Sequence, residues 1–110
     1  MTYHVHITKT AERDVINASD YIDLVLKNPS AADSLLDEFE SKVNALTEFP
    51  QQHSLVEDDL LSAWGIRFVM VKNYLAFYIA EEETATVYII RFLYGKSNWL
   101  SILKSGFSMY

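Results

Sequence analysis

Tyr3, Val5 and Ile7 alternate with Thr2, His4 and His6. This period of two predicts a short half-buried strand with its core face on the odd positions. The period then lengthens. From Thr8 or Thr10, either able to cap a helix, apolar residues fall at Ala11, Val15, Ala18, Ile22, Val25 and Leu26, and spacings of three and four predict an amphipathic helix. Asn28-Pro29 ends it, because a residue before proline is pushed out of the helical region. Ser30, with Asp33 three residues on, reads as an acidic variant of the capping box. It opens a second helix with its stripe on Ala32, Leu35, Leu36, Phe39, Val43 and Leu46, closed before Pro50. So short a link predicts an antiparallel helical hairpin over residues 9–49, with its acidic residues outward.

Residues 50–63 show no clean period and contain Glu57-Asp58-Asp59, which predicts a loop. Three runs rich in Val, Ile, Tyr and Phe follow: Gly65–Lys72, Tyr74–Ala80 and Ala85–Tyr94. Lys72-Asn73 and Glu81–Thr84 separate them and are short enough for hairpin turns. The tail, residues 96–110, carries Trp99, Leu100, Ile102 and Leu103, the makings of one helical turn, and then Gly106. The order β-α-α-β-β-β predicts one α+β domain over residues 1–110. Its small, mostly antiparallel sheet has a core over 64–94 and the helical hairpin on one face. In the last run Val87, Ile89, Arg91 and Leu93 alternate with Tyr88, Ile90, Phe92 and Tyr94, and both sets are apolar. The sheet is therefore either covered on both sides or left with an apolar face for a partner; a partner is the expectation.

Composition narrows the class. Half of the 110 residues are hydrophobic, and 15 aromatic residues stand against 3 Gly and 2 Pro, which excludes a disordered chain. With no cysteine there is no disulfide, thiolate metal site or cysteine nucleophile. The start, MTYHVHITKT, has no apolar leader core, and no apolar run approaches the roughly 18 residues of a membrane span. An intracellular protein with no membrane partner is expected. The net charge of −6 argues at first against a polyanionic partner. Residues 1–62, however, hold twelve acidic and four basic residues, whereas residues 63–110 hold five basic and three acidic. The acidity belongs to the first part alone.

Candidate chemistry is sparse. There is no glycine-rich phosphate loop, no HExxH and no GxSxG. His4 and His6 share one strand face, but no third ligand is evident nearby, so they read as exposed histidines and neither metal nor cofactor is expected. His53 reads as a solvated loop residue. Arg67 and Arg91 each sit inside a strongly apolar strand, where a guanidinium is costly unless paired or functional. Two accounts of them stay open: a salt bridge to one of the many carboxylates, or an anion clamp giving two parallel hydrogen bonds to a phosphate. Tyr94, three residues after Arg91, is either a packing residue or, beside such a clamp, a base-stacking or proton-supplying one.

The stretch GIRFVMVKNYLAFYIAEEETATVYIIRFLYGK (65–96) resembles the C-terminal half of the RelE/ParE toxins of bacterial type II toxin–antitoxin systems. Upstream, IT-x-x-A (7–11), DYI (20–22), Pro29 with Ala31-Ala32, EFP (48–50) and LVEDD (55–59) match the same family in order and spacing. The resemblance implies a RelE/ParE-like fold and a cytoplasmic growth inhibitor neutralised by a cognate antitoxin. The leading expectation is action by ribosome-dependent mRNA cleavage as an endoribonuclease; the alternatives are non-catalytic inhibition of DNA gyrase, as in the ParE branch, and an inactive relic that only binds antitoxin. For cleavage, a ribose 2′-OH attacks the adjacent phosphate, which calls for cations around the developing charge and a proton for the leaving oxygen. By resemblance Arg67 and Arg91 would stabilise the phosphate and Tyr94 would stack a base or pass a proton. Lys72 and Lys96 would bind RNA. His53 and Glu57 are the only loop candidates for a general base. Many relatives carry two consecutive basic residues after the Tyr-Gly pair, where this chain has Lys96 alone. That departure and the charge of −6 weigh against strong independent RNA affinity and fit protein inhibition, or a toxin that has lost potency, somewhat better; because the acidity lies in residues 1–62, the charge does not exclude RNA.

Overall fold

The computed structural model describes residues 2–110. Strand β1 (His4–Ile7) leads into helix α1 (Lys9–Asp20), which continues as a π-helical turn (Tyr21–Val25). Helix α2 (Pro29–Ala45) completes the hairpin. A 3₁₀ turn (Pro50–Gln52) and a short helix α3 (Asp59–Ala63) precede strands β2 (Arg67–Val71), β3 (Tyr74–Glu81) and β4 (Thr86–Tyr94), and helix α4 (Trp99–Lys104) follows them. The four strands form one sheet in the order β1-β4-β3-β2. β2–β3 and β3–β4 pair antiparallel, and β1 pairs parallel with β4. The fold is the expected α+β one, with the helical hairpin on one face of a mostly antiparallel sheet.

Local chemistry sets the helix limits. Thr8 caps α1: its Oγ1 accepts from Ala11 N–H (3.2 Å) and donates to the Ile89 carbonyl (2.8 Å), which fixes the helix start onto β4. α2 is capped by Asn28, whose Oδ1 accepts from Ala31 N–H (3.1 Å), and not by Ser30. Pro29 takes the first helical position, where its missing N–H costs nothing, and this moves the cap back two residues. The π turn was not legible in the periodicity. Leu26 N–H reaches the Tyr21 carbonyl five residues back (3.1 Å). The extra residue in that turn rotates Val25 and Leu26 off the buried stripe, and they stand 62% and 56% exposed instead of joining the core. Leu36 likewise lies at the surface. Within the expected loop 50–63, Asp58 caps α3 by accepting from Leu61 N–H (3.1 Å).

Two cores flank the sheet. On the hairpin side Ala11, Val15, Leu35, Phe39 and Val43 pack on Val69, Val71, Tyr78, Val87, Ile89 and Phe92. On the other side Phe77, Ile90 and Leu93 are covered by Val56, Leu61 and Ile66 and by Trp99, Leu103, Phe107 and Met109. The expectation of an apolar face left for a partner is therefore corrected. The segment read as a loop and the tail cover that face themselves, and the ion pair Lys104–Asp58 (2.9 Å) fastens α4 to the cap of α3. The alternation read along β4 also breaks. Tyr78 pairs with Ile89 but Phe77 pairs with Arg91, so Ile90 is an extra residue in a β-bulge. Phe92 thereby joins Val87 and Ile89 on the hairpin side, while Leu93 turns to the other.

Candidate functional site

The bulge decides where Arg91 goes. β1 stops pairing at Ile7, opposite Ile89, so β4 beyond the bulge has no strand on that side. The carboxylate of Asp14, from α1, occupies the place. Its Oδ2 accepts from Arg91 Nε (2.7 Å) and from Phe92 N–H (3.0 Å), and its Oδ1 accepts from Arg91 Nη2 (3.0 Å). The guanidinium is held by both oxygens, side chain against side chain, with 22% of Arg91 and 12% of Asp14 exposed. Of the two accounts left open for Arg91, the salt bridge is the one this geometry displays. Asp14 itself was hidden in the sequence among the acidic residues assigned to the outer face. The available signal was its place one residue before Val15 and three after Ala11, on the flank of the buried stripe.

Arg67 lies elsewhere. It opens β2, opposite Tyr78, and its Nη1 donates to the His53 carbonyl (2.6 Å). It has no ion pair among the described residues. Tyr78, fully buried, donates its hydroxyl to the Pro50 carbonyl (2.5 Å) and meets the His53 ring edge-on. Burial pushes its phenol up to about 12, the nearby Arg67 charge pulling the other way. The unfolded phenol ionises near 10, so stability should be full below about pH 10 and fall as pH rises toward the folded value. Urea melts above and below about pH 10 should show that decline, and Tyr78→Phe should remove its slope.

Tyr94 closes β4 beside the other end of β2, at one end of the sheet. It pairs with Tyr74, the first residue of β3, which pairs in turn with Val71. The length of β2 therefore separates Arg67 from Tyr94, about 13 Å of strand. Tyr94 is half-exposed and edge-on to Tyr74 (5.5 Å between centroids), and Tyr74 stacks on Phe92 (5.0 Å). Burial, with Tyr94 and Tyr21 nearby, raises the Tyr74 phenol above its ordinary value. Gly95 follows because its N–H donates to the Asn73 carbonyl (2.8 Å); a Cβ there would stand 3.1 Å from that oxygen. The contact joins the β2–β3 turn, with Lys72, to the end of β4, with exposed Lys96. Lys72 is partly engaged by Glu38: Nζ lies 3.9 Å from the carboxylate, which also accepts from the Lys72 N–H (3.2 Å).

At this sheet end a groove of about 600 Å³ runs between the π turn and the strands, lined by Tyr21, Ile22, Leu26, Asn73, Tyr74 and Tyr94. Neither Arg91 nor Asp14 lines it. The structure thus brings Tyr94, Lys72 and Lys96 to one end of the sheet, leaves Arg91 tied to α1, and sets Arg67 at the start of β2, midway along the sheet. His53 lies near Arg67, Glu57 is exposed on the second-face loop, and His4 and His6 lie on edge strand β1. Among the described residues no three His, Asp or Glu side chains gather to hold a metal, and no helix is long and apolar enough to cross a membrane.

The family model described as the ParE toxin of the type II toxin–antitoxin system, parDE, matches residues 5–99. The chain belongs to the ParE toxin family. It is thus a type II toxin of the RelE/ParE group, as its motifs implied. Two solved structures share the fold. One is the chromosomal ParDE toxin–antitoxin system from P. aeruginosa, with TM-score 0.65, 17% identity, and 84% of this chain and 96% of that one covered. The other is the toxin–antitoxin complex RelBE2 from Mycobacterium tuberculosis, with TM-score 0.56, 23% identity, and 86% and 99% covered. No curated protein matches the chain.

Proposed function

We propose that this ParE-family toxin is neutralised by a cognate antitoxin in the cytoplasm and arrests growth by binding a protein target, DNA gyrase, without cutting RNA. The observation that carries the reading is the Asp14–Arg91 pair. A phosphate clamp built on Arg91 and Arg67 needs both guanidinia on one oxyanion, yet Arg91 is held by the Asp14 carboxylate and Arg67 donates to the His53 carbonyl. The charge of −6 supports the same reading, since RNA affinity grows from phosphate neutralisation. An antitoxin partner is supported by the two structures of like fold, both of them toxin–antitoxin systems.

One observation favours ribosome-dependent mRNA cleavage as the second reading: Tyr94, Lys72 and Lys96 share one end of the sheet beside an aromatic groove. On that reading Tyr94 stacks a base and the lysines follow the RNA backbone, with Arg67 and Arg91 recruited to the phosphate by a rearrangement. Purified toxin separates the two. Gyrase should lose its supercoiling of relaxed plasmid at near-stoichiometric toxin, while messages on translating ribosomes stay whole. Cut messages with unimpaired gyrase would overturn the proposal.

A further inference from the structure

We infer that Asp14 is an internal anion that masks Arg91, filling the seat an external phosphate would take. A guanidinium binds carboxylate and phosphate through the same two-point geometry, Nε and one terminal nitrogen donating in parallel to two oxygens. Asp14 already supplies both oxygens, at 2.7 and 3.0 Å, and does so from a helix held by three buried residues of its own stripe. Because Oδ2 also accepts from Phe92 N–H, the carboxylate is anchored to β4 as well as to the arginine. An arriving phosphate would have to displace an anion fixed at both ends; among the described residues only Nη1 of the guanidinium carries no hydrogen bond. Asp14 is therefore a positioning residue for Arg91, and it holds that guanidinium on α1 instead of toward the groove lined by Tyr74 and Tyr94.

The inference shares the Asp14–Arg91 pair with the proposed function, but its test reads phosphate binding at Arg91 alone, so it can fail while gyrase inhibition is still observed. Asp14→Asn tests it: an amide oxygen can still accept from Phe92 N–H, but the charge and the second acceptor are gone. Inorganic phosphate is titrated into full-length wild type and variant while the Arg91 and Arg67 side-chain Nε–H signals are followed by NMR. In Asp14→Asn the Arg91 signal should shift saturably, with affinity at least about tenfold tighter than in wild type. The Arg67 signal should respond alike in both proteins. Equal phosphate affinity at Arg91 in the two proteins, or no response in either, would overturn the masking role. A second reading needs only wild type: the Arg91 Nε–H should exchange slowly with water and stay slow as phosphate is added. Fast exchange would overturn the inference even if Asp14→Asn failed to fold.

Discussion

Phe77→Ala is expected to lower stability by about 3–5 kcal/mol, the range for removing a fully buried aromatic side chain and leaving its cavity. Phe77 is fully buried in the middle of β3, on the face away from the hairpin, with the Trp99 ring 5.3 Å away. It is the point where the sheet meets the tail. If that face were an open docking surface, truncation there would cost little in the isolated protein. Because α3, α4 and the tail cover it, the loss should appear in full in urea or thermal unfolding of the toxin alone. A loss below about 1 kcal/mol would mean that the second core does not form as described.

Asp14→Ala should cost more than Arg91→Ala, although the two residues share one ion pair. Removing the aspartate strands a partly buried guanidinium and takes the hydrogen-bond acceptor from Phe92 N–H, a rung of β4 with no strand to replace it. A cost of about 2–3 kcal/mol is expected, below the figure for a fully buried pair because the arginine still reaches solvent. Removing the arginine leaves Asp14 bound to Phe92 N–H and able to draw in water, for a loss of about 1–2 kcal/mol. A double-mutant cycle should show coupling between the two, and additive losses would contradict the pairing. Arg91→Ala should therefore remain folded.

Much of this fold was legible in the sequence, because its elements follow single periodicities. The stripe of α1 through Ala11, Val15 and Ala18 and the runs that became β2, β3 and β4 needed only spacing and residue type to be read. Two features escaped because one residue is added to a regular period. The extra residue in the π turn exposes Val25 and Leu26, and the extra residue at Ile90 reverses the faces of Phe92 and Leu93. Neither insertion leaves a compositional mark. The covering of the second face was missed because the residues that do it, Val56, Leu61, Ile66 and Leu103, are spread over an aperiodic stretch and a short tail.

The candidate site was legible in part for a related reason. Arg67 and Arg91 stood out as charges in apolar strands, and each did find a hydrogen-bonding partner: a backbone carbonyl for Arg67, a carboxylate for Arg91. Which partner each takes depends on strand order and on where β1 ends, and spacing within one strand does not carry that information. Tyr94, Lys72 and Lys96 come together only because the β2–β3 turn folds back against the end of β4 through Gly95.

The measurement that tests the central claim most directly is induced expression of the toxin without its antitoxin. Message integrity, protein synthesis and plasmid supercoiling should be followed in the same cells as growth stops. Arrest with intact messages, continued translation in the first minutes and lost negative supercoiling is the predicted result, relieved when the cognate antitoxin is co-expressed. Rapid cleavage of translated messages with supercoiling unchanged would contradict it.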